Sequence, residues 1–139
     1  MSIFQGVCVS FKQDILQGTH DIDSDTLKIA LYGDSASLST ATTAYTTTGE
    51  ASGTGYTAGG QTITATVSTS GQRVEVVFGS VTWPSATIEA AGALIYNSSK
   101  SNKAILVLNF GGTRSVTAAD FTVSFPAAGT DYPVLRLGS

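Results

Sequence analysis

Short runs of alternating apolar and polar residues, bounded by Gly, Ser, Asn or Pro, constrain the fold of this chain more than any other feature. Such runs are typical of strands with one buried face, because successive side chains of a strand point to opposite faces. The predicted strands are residues 26–32, 62–67, 73–78, 81–83, 93–96, 104–108, 121–125 and 133–137, with 87–89 as a further short candidate. About eight short strands with turns every 8 to 12 residues predict an all-β fold, an antiparallel β-sandwich or jelly roll. A parallel α/β sheet is excluded because the crossover helices that it needs are missing.

Turn residues divide several of these strands into two predicted hairpins. The dipeptide Ser70-Gly71 forms the turn of the first hairpin, and the polar tip 97–102 forms the turn of the second. Pro84 and Pro126 are each predicted to end a strand or to mark a sheet edge, because proline has no N–H for the ladder.

One short helical pattern occurs near the N-terminus. Phe11, Ile15 and Leu16 lie on one face at helical spacing, Ser10 is placed to cap the first turn, and Gly18 is placed to end the helix. The sequence therefore predicts one helix of about two turns before the first long strand.

Length and composition favour one β domain with few charged residues. A chain of 139 residues predicts a single β-sandwich domain over residues 1–139. Charged residues make up only 12% of the chain, whereas Ser and Thr together supply 37 of its 139 residues. Seven basic and ten acidic side chains give no cationic surface, so direct binding to nucleic acid is excluded.

The only cysteine, Cys8, lies between valines and is predicted to be a buried thiol that forms no intramolecular disulfide. No run of residues approaches the 18 apolar positions that a membrane-spanning helix needs, so no membrane association is expected. The N-terminal residues carry no basic region of the kind found in secretory signals. Synthesis in the cytoplasm is the expectation that follows.

Candidate catalytic and metal-binding motifs are weak. His20 is followed by Asp21, but sequence neighbours rarely form a catalytic dyad, so His20 is expected to be solvated or bonded to backbone. Residues 21–25 alternate carboxylates like the start of a calcium loop, yet Thr26 stands where that loop needs Gly and Tyr32 where it needs Glu. An ordinary acidic turn is the favoured interpretation.

Two further patterns also fall short of a site. Gly53 and Gly55 match a dinucleotide-binding fingerprint superficially, but no strand precedes them and no amphipathic helix follows. Glu50, Glu75 and Glu89 are candidates for paired catalytic carboxylates, although Glu75 is expected on the solvated face of its strand. The sequence therefore predicts no enzyme, no catalytic residue, no cofactor and no metal site.

Residues 34–60, rich in Ser, Thr, Ala and Gly, are far longer than the usual loop of about 4 to 6 residues. Part of this segment is expected to be extended, because its threonine runs favour β structure. Its aromatic residues, Tyr45 and Tyr56, are predicted to bind a partner, since amphipathic rings are enriched at interfaces. The alternative is that both tyrosines fold back onto their own sandwich.

Several runs of this chain occur in the same order in a known group of proteins. They are FKQDILQGTH (11–20), DTLKIALY (25–32), TAYTT (43–47), GTGY (53–56), GALIYN (92–97) and DFTVSFP (120–126). With these runs the chain resembles the capsid cementing (decoration) proteins of tailed bacteriophages. The resemblance spans roughly residues 11–126 and rests on strand and turn patterns rather than on chemical motifs.

This resemblance implies a jelly-roll-like structural virion protein without enzyme activity, cofactor or metal. Such a protein lies on the outer surface of an icosahedral capsid, bridges neighbouring major capsid protein subunits, stabilises the shell and forms a homodimer. The low charge and the strand edges with few Lys or Pro agree with assembly through protein contacts. The alternatives are a phage tail or tail-fibre component, or a receptor- or sugar-binding β-sandwich module.

Overall fold

The computed structural model describes residues 3–125 and 135–137. Its elements are β1 Gly6–Val7, α1 Val9–Leu16, β2 Leu27–Tyr32, β3 Gln61–Ile63, β4 Ala65–Ser70, β5 Arg73–Phe78, β6 Val81–Asn97, β7 Lys103–Val123 and β8 Leu135–Leu137. The structure is mostly β, with one short helix. The strands form antiparallel sheets, so the predicted all-β sandwich with one short helix is confirmed.

The strands divide into two sheets. The larger has the order β1-β7-β6-β2-β3 and the smaller the order β4-β5-β8. Strand β2 is paired along both edges, by β6 and β3, and residues on both of its faces are buried, with only Lys28 half-buried. The alternation that predicted this strand indicates only one buried face.

Both predicted hairpins are confirmed. In the first, Ser70 of β4 lies opposite Arg73 of β5, and Gly71 in the turn has a φ of 62°. In the second, Asn97 at the end of β6 lies opposite Lys103 at the start of β7.

The prediction that Pro84 ends a strand is wrong. Strand β6 is 17 residues long, passes through Pro84 and includes all three short strands predicted there, 81–83, 87–89 and 93–96. The register between β6 and β7 shifts between Trp83 and Ala86, and Ser85 has a φ of 48°. A β-bulge of this kind takes Pro84 out of the regular ladder, so its missing N–H interrupts no regular pair.

Other strand boundaries also differ from the prediction. The predicted strand 62–67 is two strands in different sheets, and the chain passes from one sheet to the other at Thr64. Strand β7 joins two predicted strands and ends at Val123 rather than at residue 125. The end predicted at Pro126 and residues 133–134 of the last predicted strand lie outside the described residues.

Helix α1 forms where predicted, but its details differ. Cys8 is the N-cap residue and no side chain caps the helix, so the role predicted for Ser10 is wrong. Phe11 is buried, whereas Leu16 is 87% exposed and does not share its face. Gly18 follows the helix with a φ of 78°, as expected of a residue that ends a helix.

The hydrophobic core includes side chains from α1 and both sheets, among them Phe11, Phe78 and Ile95. Cys8 is fully buried as predicted, and burial raises the pKa of its thiol to about 11. Trp83, for which the sequence favours neither core nor surface, is 1% exposed and belongs to the core. That residues 1–139 form a single domain stays a prediction.

Candidate interaction site

Residues 34–60, called the long segment below, contact the larger sheet through isolated backbone pairs. The segment contains no strand of its own, so the expected extended part is limited to single β-bridges. These bridges join Leu38 to Ile3, Ala44 to Lys103, Glu50 to Tyr32 and Thr54 to Thr87. Three of the four lie against β2, β6 or β7, so the segment follows the larger sheet along much of its length.

The carboxylate of Glu50 is the centre of the contacts that hold the long segment together. Tyr45 Oη donates to Glu50 Oε1 at 2.7 Å, and Tyr56 Oη donates to Glu50 Oε2 at 2.6 Å. The backbone N–H of Gly59 donates to the same Oε2 at 2.7 Å. Hydrogen bonds to an ionised acceptor are roughly twice as strong as neutral ones, so this side chain stabilises the folded path of the segment.

Tyrosines of the sheet bind the backbone of the long segment in return. Tyr32 Oη of β2 donates to the carbonyl of Thr46 at 2.6 Å. Tyr96 Oη of β6 donates to the carbonyl of Gly59 at 2.6 Å. Neither carbonyl has a partner in a regular strand ladder, so each tyrosine hydroxyl supplies the hydrogen bond that a ladder would give. Irregular backbone can pack against a sheet in this way.

The rings of Tyr45 and Tyr56 pack against side chains of the sheet. Tyr45 stacks on Tyr96 with ring centroids 4.8 Å apart, and Tyr56 lies 6.0 Å from Trp83. The hydroxyl of Tyr56 also accepts the backbone N–H of Leu31 at 2.9 Å. Burial raises the pKa of both phenols, and the neighbouring Glu50 carboxylate raises it further, so both hydroxyls stay protonated as donors.

The two predicted partner-binding residues therefore lie close together, joined through Glu50, and both are half-buried. Their hydroxyls are used inside the chain, which is the folded-back arrangement that the sequence left as the alternative. The role of Tyr45 and Tyr56 in binding a partner stays a prediction. The sequence offers Glu50 only as a catalytic candidate, so the hydrogen bonds that join the two tyrosines through Glu50 were not predicted.

A second polar cluster surrounds Asn97, which is fully buried at the end of β6. Asn97 Nδ2 lies 3.0 Å from His20 Nδ1 and donates to Asp25 Oδ2 at 2.7 Å. Lys100 Nζ lies 2.9 Å from Asp25 Oδ1, and Asp14 Oδ2 lies 3.8 Å from His20 Nε2. His20 is 8% exposed, so the expectation of a solvated histidine is wrong: Asn97 offers its ring a buried polar partner.

The pKa values of this cluster are consistent with a structural role. Burial lowers the pKa of His20, although Asp14 and Asp25 oppose this effect. Burial alone would raise the pKa of Asp25, but hydrogen bonds from the Asp21 N–H, Asn97 and Lys100 lower it to about 2. Residues 21–25 thus form the predicted acidic turn. Within residues 3–125 and 135–137, no group of three or more His, Cys, Asp or Glu is placed to hold a metal.

The three candidate carboxylates lie in different environments. Glu75 is fully buried in the smaller sheet with its Oε2 3.3 Å from Arg73 Nε, so the expectation of a solvated Glu75 is wrong: its strand turns this face inward. Glu50 and the exposed Glu89 border one open groove of about 450 Å³, otherwise lined by small residues and Ile88 and Val116. Both oxygens of Glu50 accept hydrogen bonds within the chain.

The second half of β7 contains a long exposed stretch. Residues 110–123 of β7, called the outer half of β7 below, pair with β6 on one side. Residues 111–120 are exposed apart from the half-buried Val116. The sequence analysis assigned no structure to 109–120, because this Gly-, Ser-, Thr- and Ala-rich run lacks apolar alternation. Residues 109–120 belong to a strand because they pair with β6, and a local sequence pattern does not reveal that pairing.

Comparison of the chain with protein-family models, with curated proteins and with solved structures gives no match. The fold defines the class, an all-β sandwich of antiparallel sheets with one short helix. In the part of the chain that the structure describes, no helix is long and apolar enough to cross a membrane.

Proposed function

We propose that this chain is a structural virion protein that binds the outer surface of an icosahedral phage capsid. In this role it bridges neighbouring major capsid protein subunits and associates with itself. The outer half of β7 is the observation that carries the proposal, because it offers a long, exposed and nearly uncharged strand edge. Backbone edges of this kind bind other proteins by adding strands, with little need for charge. The resemblance of residues 11–126 to capsid cementing proteins supports a virion as the setting.

The polar clusters described above support a protein contact over a small-molecule site. The carboxylates of Glu50 and Asp25 are both committed to hydrogen bonds within the chain. Among the described residues, both carboxylates serve as hydrogen-bond acceptors for groups of this chain. A binding function that uses backbone, small side chains and half-buried aromatic rings is therefore the best supported.

The test is to purify virions and to measure the amount of this chain per particle on a gel. A decoration protein should be present in numbers comparable to the major capsid protein, whereas a tail or receptor-binding component should be present in far fewer copies. Particles made without the protein should lose capsid integrity at a lower temperature, and adding the purified protein should restore it. A low copy number, or capsids of unchanged stability, would contradict the proposal.

Salt tests the kind of contact. Exposed ion pairs contribute about 0 to 1 kcal/mol and are screened by salt. Since only 12% of residues are charged, attachment through apolar and backbone contacts should survive transfer from about 0.1 to 1 M NaCl. Complete release over this range would show that charge dominates the attachment.

A further inference from the structure

His20 is a buried titratable group just beyond the C-terminal end of α1. Its side chain is fully covered, although the residue follows the helix closely in the chain. The ring packs on Phe11 of α1 with ring centroids 4.9 Å apart, and its Nδ1 lies 3.0 Å from Asn97 Nδ2. Because Asn97 is the last residue of β6, His20 connects the end of α1 to the β6–β7 hairpin.

The hydrogen bonds of Asn97 fix which of its atoms faces His20. The Ser99 N–H donates to Asn97 Oδ1 at 3.0 Å, and Asn97 Nδ2 donates to the ionised carboxylate of Asp25 at 2.7 Å. Turning the amide over would place its oxygen against the carboxylate and its NH₂ group against the Ser99 N–H. The observed orientation therefore satisfies both partners, and it presents an N–H of Asn97 to His20 Nδ1.

This N–H determines the protonation state of the His20 ring. Nδ1 accepts it through a lone pair, so the proton of the neutral ring is on Nε2. A second proton would go to Nδ1 and would place two donors 3.0 Å apart. Protonation of His20 is therefore incompatible with its hydrogen bond to Asn97.

Charged groups on three elements face the ring. Asp14 of α1, with its Oδ2 3.8 Å from Nε2, and Asp25 of the acidic turn both favour the protonated ring. Lys100 and Lys103 of the hairpin oppose it, and burial opposes it most, so the pKa of His20 lies below its usual value. Because Asp14 lies beside Nε2, it offers no acceptor to a proton on Nδ1.

We propose that His20 is a pH-sensitive contact, which holds the C-terminal end of α1 on the β6–β7 hairpin when its ring is neutral and releases it when the ring is protonated. The N-terminal end of the helix stays attached, because the Cys8 N–H donates to the carbonyl of Ile105 at 2.9 Å. The acidic turn stays attached as well, because Asp25 binds Lys100 at 2.9 Å. Mild acid thus opens one contact and leaves the sheets paired. This response is independent of the proposed virion role.

The direction of the pH dependence follows from the lowered pKa. The unfolded chain binds a proton at His20 near pH 6.5, whereas the folded chain binds it only at lower pH. The stability that the neutral ring contributes is therefore complete above about pH 6.5 and is lost as the pH falls from there to the folded pKa. The loss caused by Asp25 begins only near pH 4, so the two groups are distinguished by where each loss begins.

The first measurement is NMR of the wild-type imidazole, which is simple to assign because the chain has a single histidine. Long-range proton–nitrogen spectra at about pH 7.5 should show the proton of the neutral ring on Nε2, and titration should give a pKa below about 6.5. A neutral ring with its proton on Nδ1, or a pKa at or above that value, would overturn the proposal.

Nuclear Overhauser contacts locate the response in the fold. Contacts of the His20 ring with Phe11 and Asn97 should be present in the neutral state and lost once the ring is protonated. Contacts between Ile29 and Ile95, which are paired in the larger sheet, should persist in both states. A protonated ring that keeps its contact with Asn97 would overturn the proposal, and so would simultaneous loss of the Ile29–Ile95 contacts.

His20→Gln separates the proton from the hydrogen bond, because its amide oxygen keeps an acceptor for Asn97 Nδ2 and does not titrate. In urea, the unfolding equilibrium constant of the wild type should rise at least about threefold between about pH 7.5 and pH 5, and that of the variant less than about twofold. A glutamine variant with the pH dependence of the wild type would contradict the proposal. The wild-type spectra test the contact even if this variant does not fold.

Asp14→Asn removes a carboxylate that favours the protonated ring, so it should shift the His20 titration to still lower pH. Asp34→Asn is the matched control: it makes the same change of charge at an exposed position of the long segment and should leave the titration in place. Equal shifts in both variants, or a higher pKa in Asp14→Asn, would contradict the placement of the ring on which the proposal rests.

Discussion

Two stretches rich in Ser, Thr, Ala and Gly flank the same part of β6 on opposite sides. The long segment lies on one side and the outer half of β7 on the other, and Thr87 contacts both. The Thr87 N–H donates to the carbonyl of Thr54 at 2.9 Å, and its Oγ1 accepts the N–H of Ala118 at 3.0 Å. The long segment forms no strand yet is anchored, whereas residues 111–120 of β7 form part of a bulged strand yet are exposed.

The difference shows that pairing in a strand and burial of side chains are separate properties. Side chains anchor the long segment, because Glu50 gathers Tyr45, Tyr56 and the Gly59 N–H. Residues 111–120 of β7 have backbone bonds to β6, and their side chains are exposed apart from the half-buried Val116. A polar stretch with buried anchors packs onto its own chain, and one without them stays exposed.

The largest expected effect contrasts a glycine from each stretch. Gly60 and Gly111 have φ values of 78° and 83°, so alanine is similarly strained at both. At Gly60 the new Cβ would also overlap the carbonyl oxygen of Ile29 and lie 2.8 Å from Ala30 Cα, whereas at Gly111 it meets nothing. Gly60→Ala should lower the free energy of unfolding by about 2 to 5 kcal/mol, and Gly111→Ala by about 1 to 2 kcal/mol. Urea unfolding measures the free energy of unfolding of both variants. Equal losses would contradict the expected difference between the two stretches.

Glu50 tests whether the anchor holds the long segment. Glu50→Ala removes the acceptor of three hydrogen bonds and should cost about 2 to 4 kcal/mol, with Glu50→Gln intermediate. The wild-type monomer should resist chymotrypsin at Tyr45 and Tyr56, and the alanine variant should be cut there first. Glu89→Gln, on the exposed face of β6, is the matched control and should change stability by less than about 0.5 kcal/mol. Rapid cleavage of the wild type would show that the segment needs a partner to become ordered.

Low pH tests the polar cluster around Asn97. This cluster lies at the turn of the β6–β7 hairpin, at the other end of β7 from its outer half. The folded-state pKa of Asp25 is lowered to about 2, below its unfolded value of about 4. The stability that Asp25 contributes is therefore present above pH 4 and is lost as the pH falls from about 4 to about 2. Asp25→Asn should reduce the stability at neutral pH by about 1 to 2 kcal/mol and flatten this part of the pH profile. A variant with the slope of the wild type below pH 4 would exclude Asp25 as its source.

The smallest effect on the monomer is expected along the outer half of β7. Thr113→Ala and Ser115→Ala change exposed side chains, and each should alter the free energy of unfolding by less than about 0.5 kcal/mol. Urea unfolding of the isolated monomer is the measurement. A loss above 1 kcal/mol would mean that this strand, like the long segment, contributes side-chain anchors to its own fold.

Local chemistry was sufficient for much of the fold. The β class, strand β2 and both hairpins follow from patterns within a few residues, such as Gly71 in the turn between β4 and β5. Turn and strand preferences act over short distances, so a single sequence reveals them. The same holds for Cys8, whose apolar neighbours predict its burial.

Only the tertiary structure decided which polar residues meet. Asn97 contacts His20 across 77 positions and Asp25 across 72, and Glu75 is buried although its local pattern indicates solvent. The strand character of residues 109–120 depends likewise on β6, which provides the ladder. The sequence by itself determined an antiparallel β protein with few charged residues, because those properties are local or compositional. Burial, anchoring and the exposed edge arise from contacts between distant residues, which no local pattern specifies.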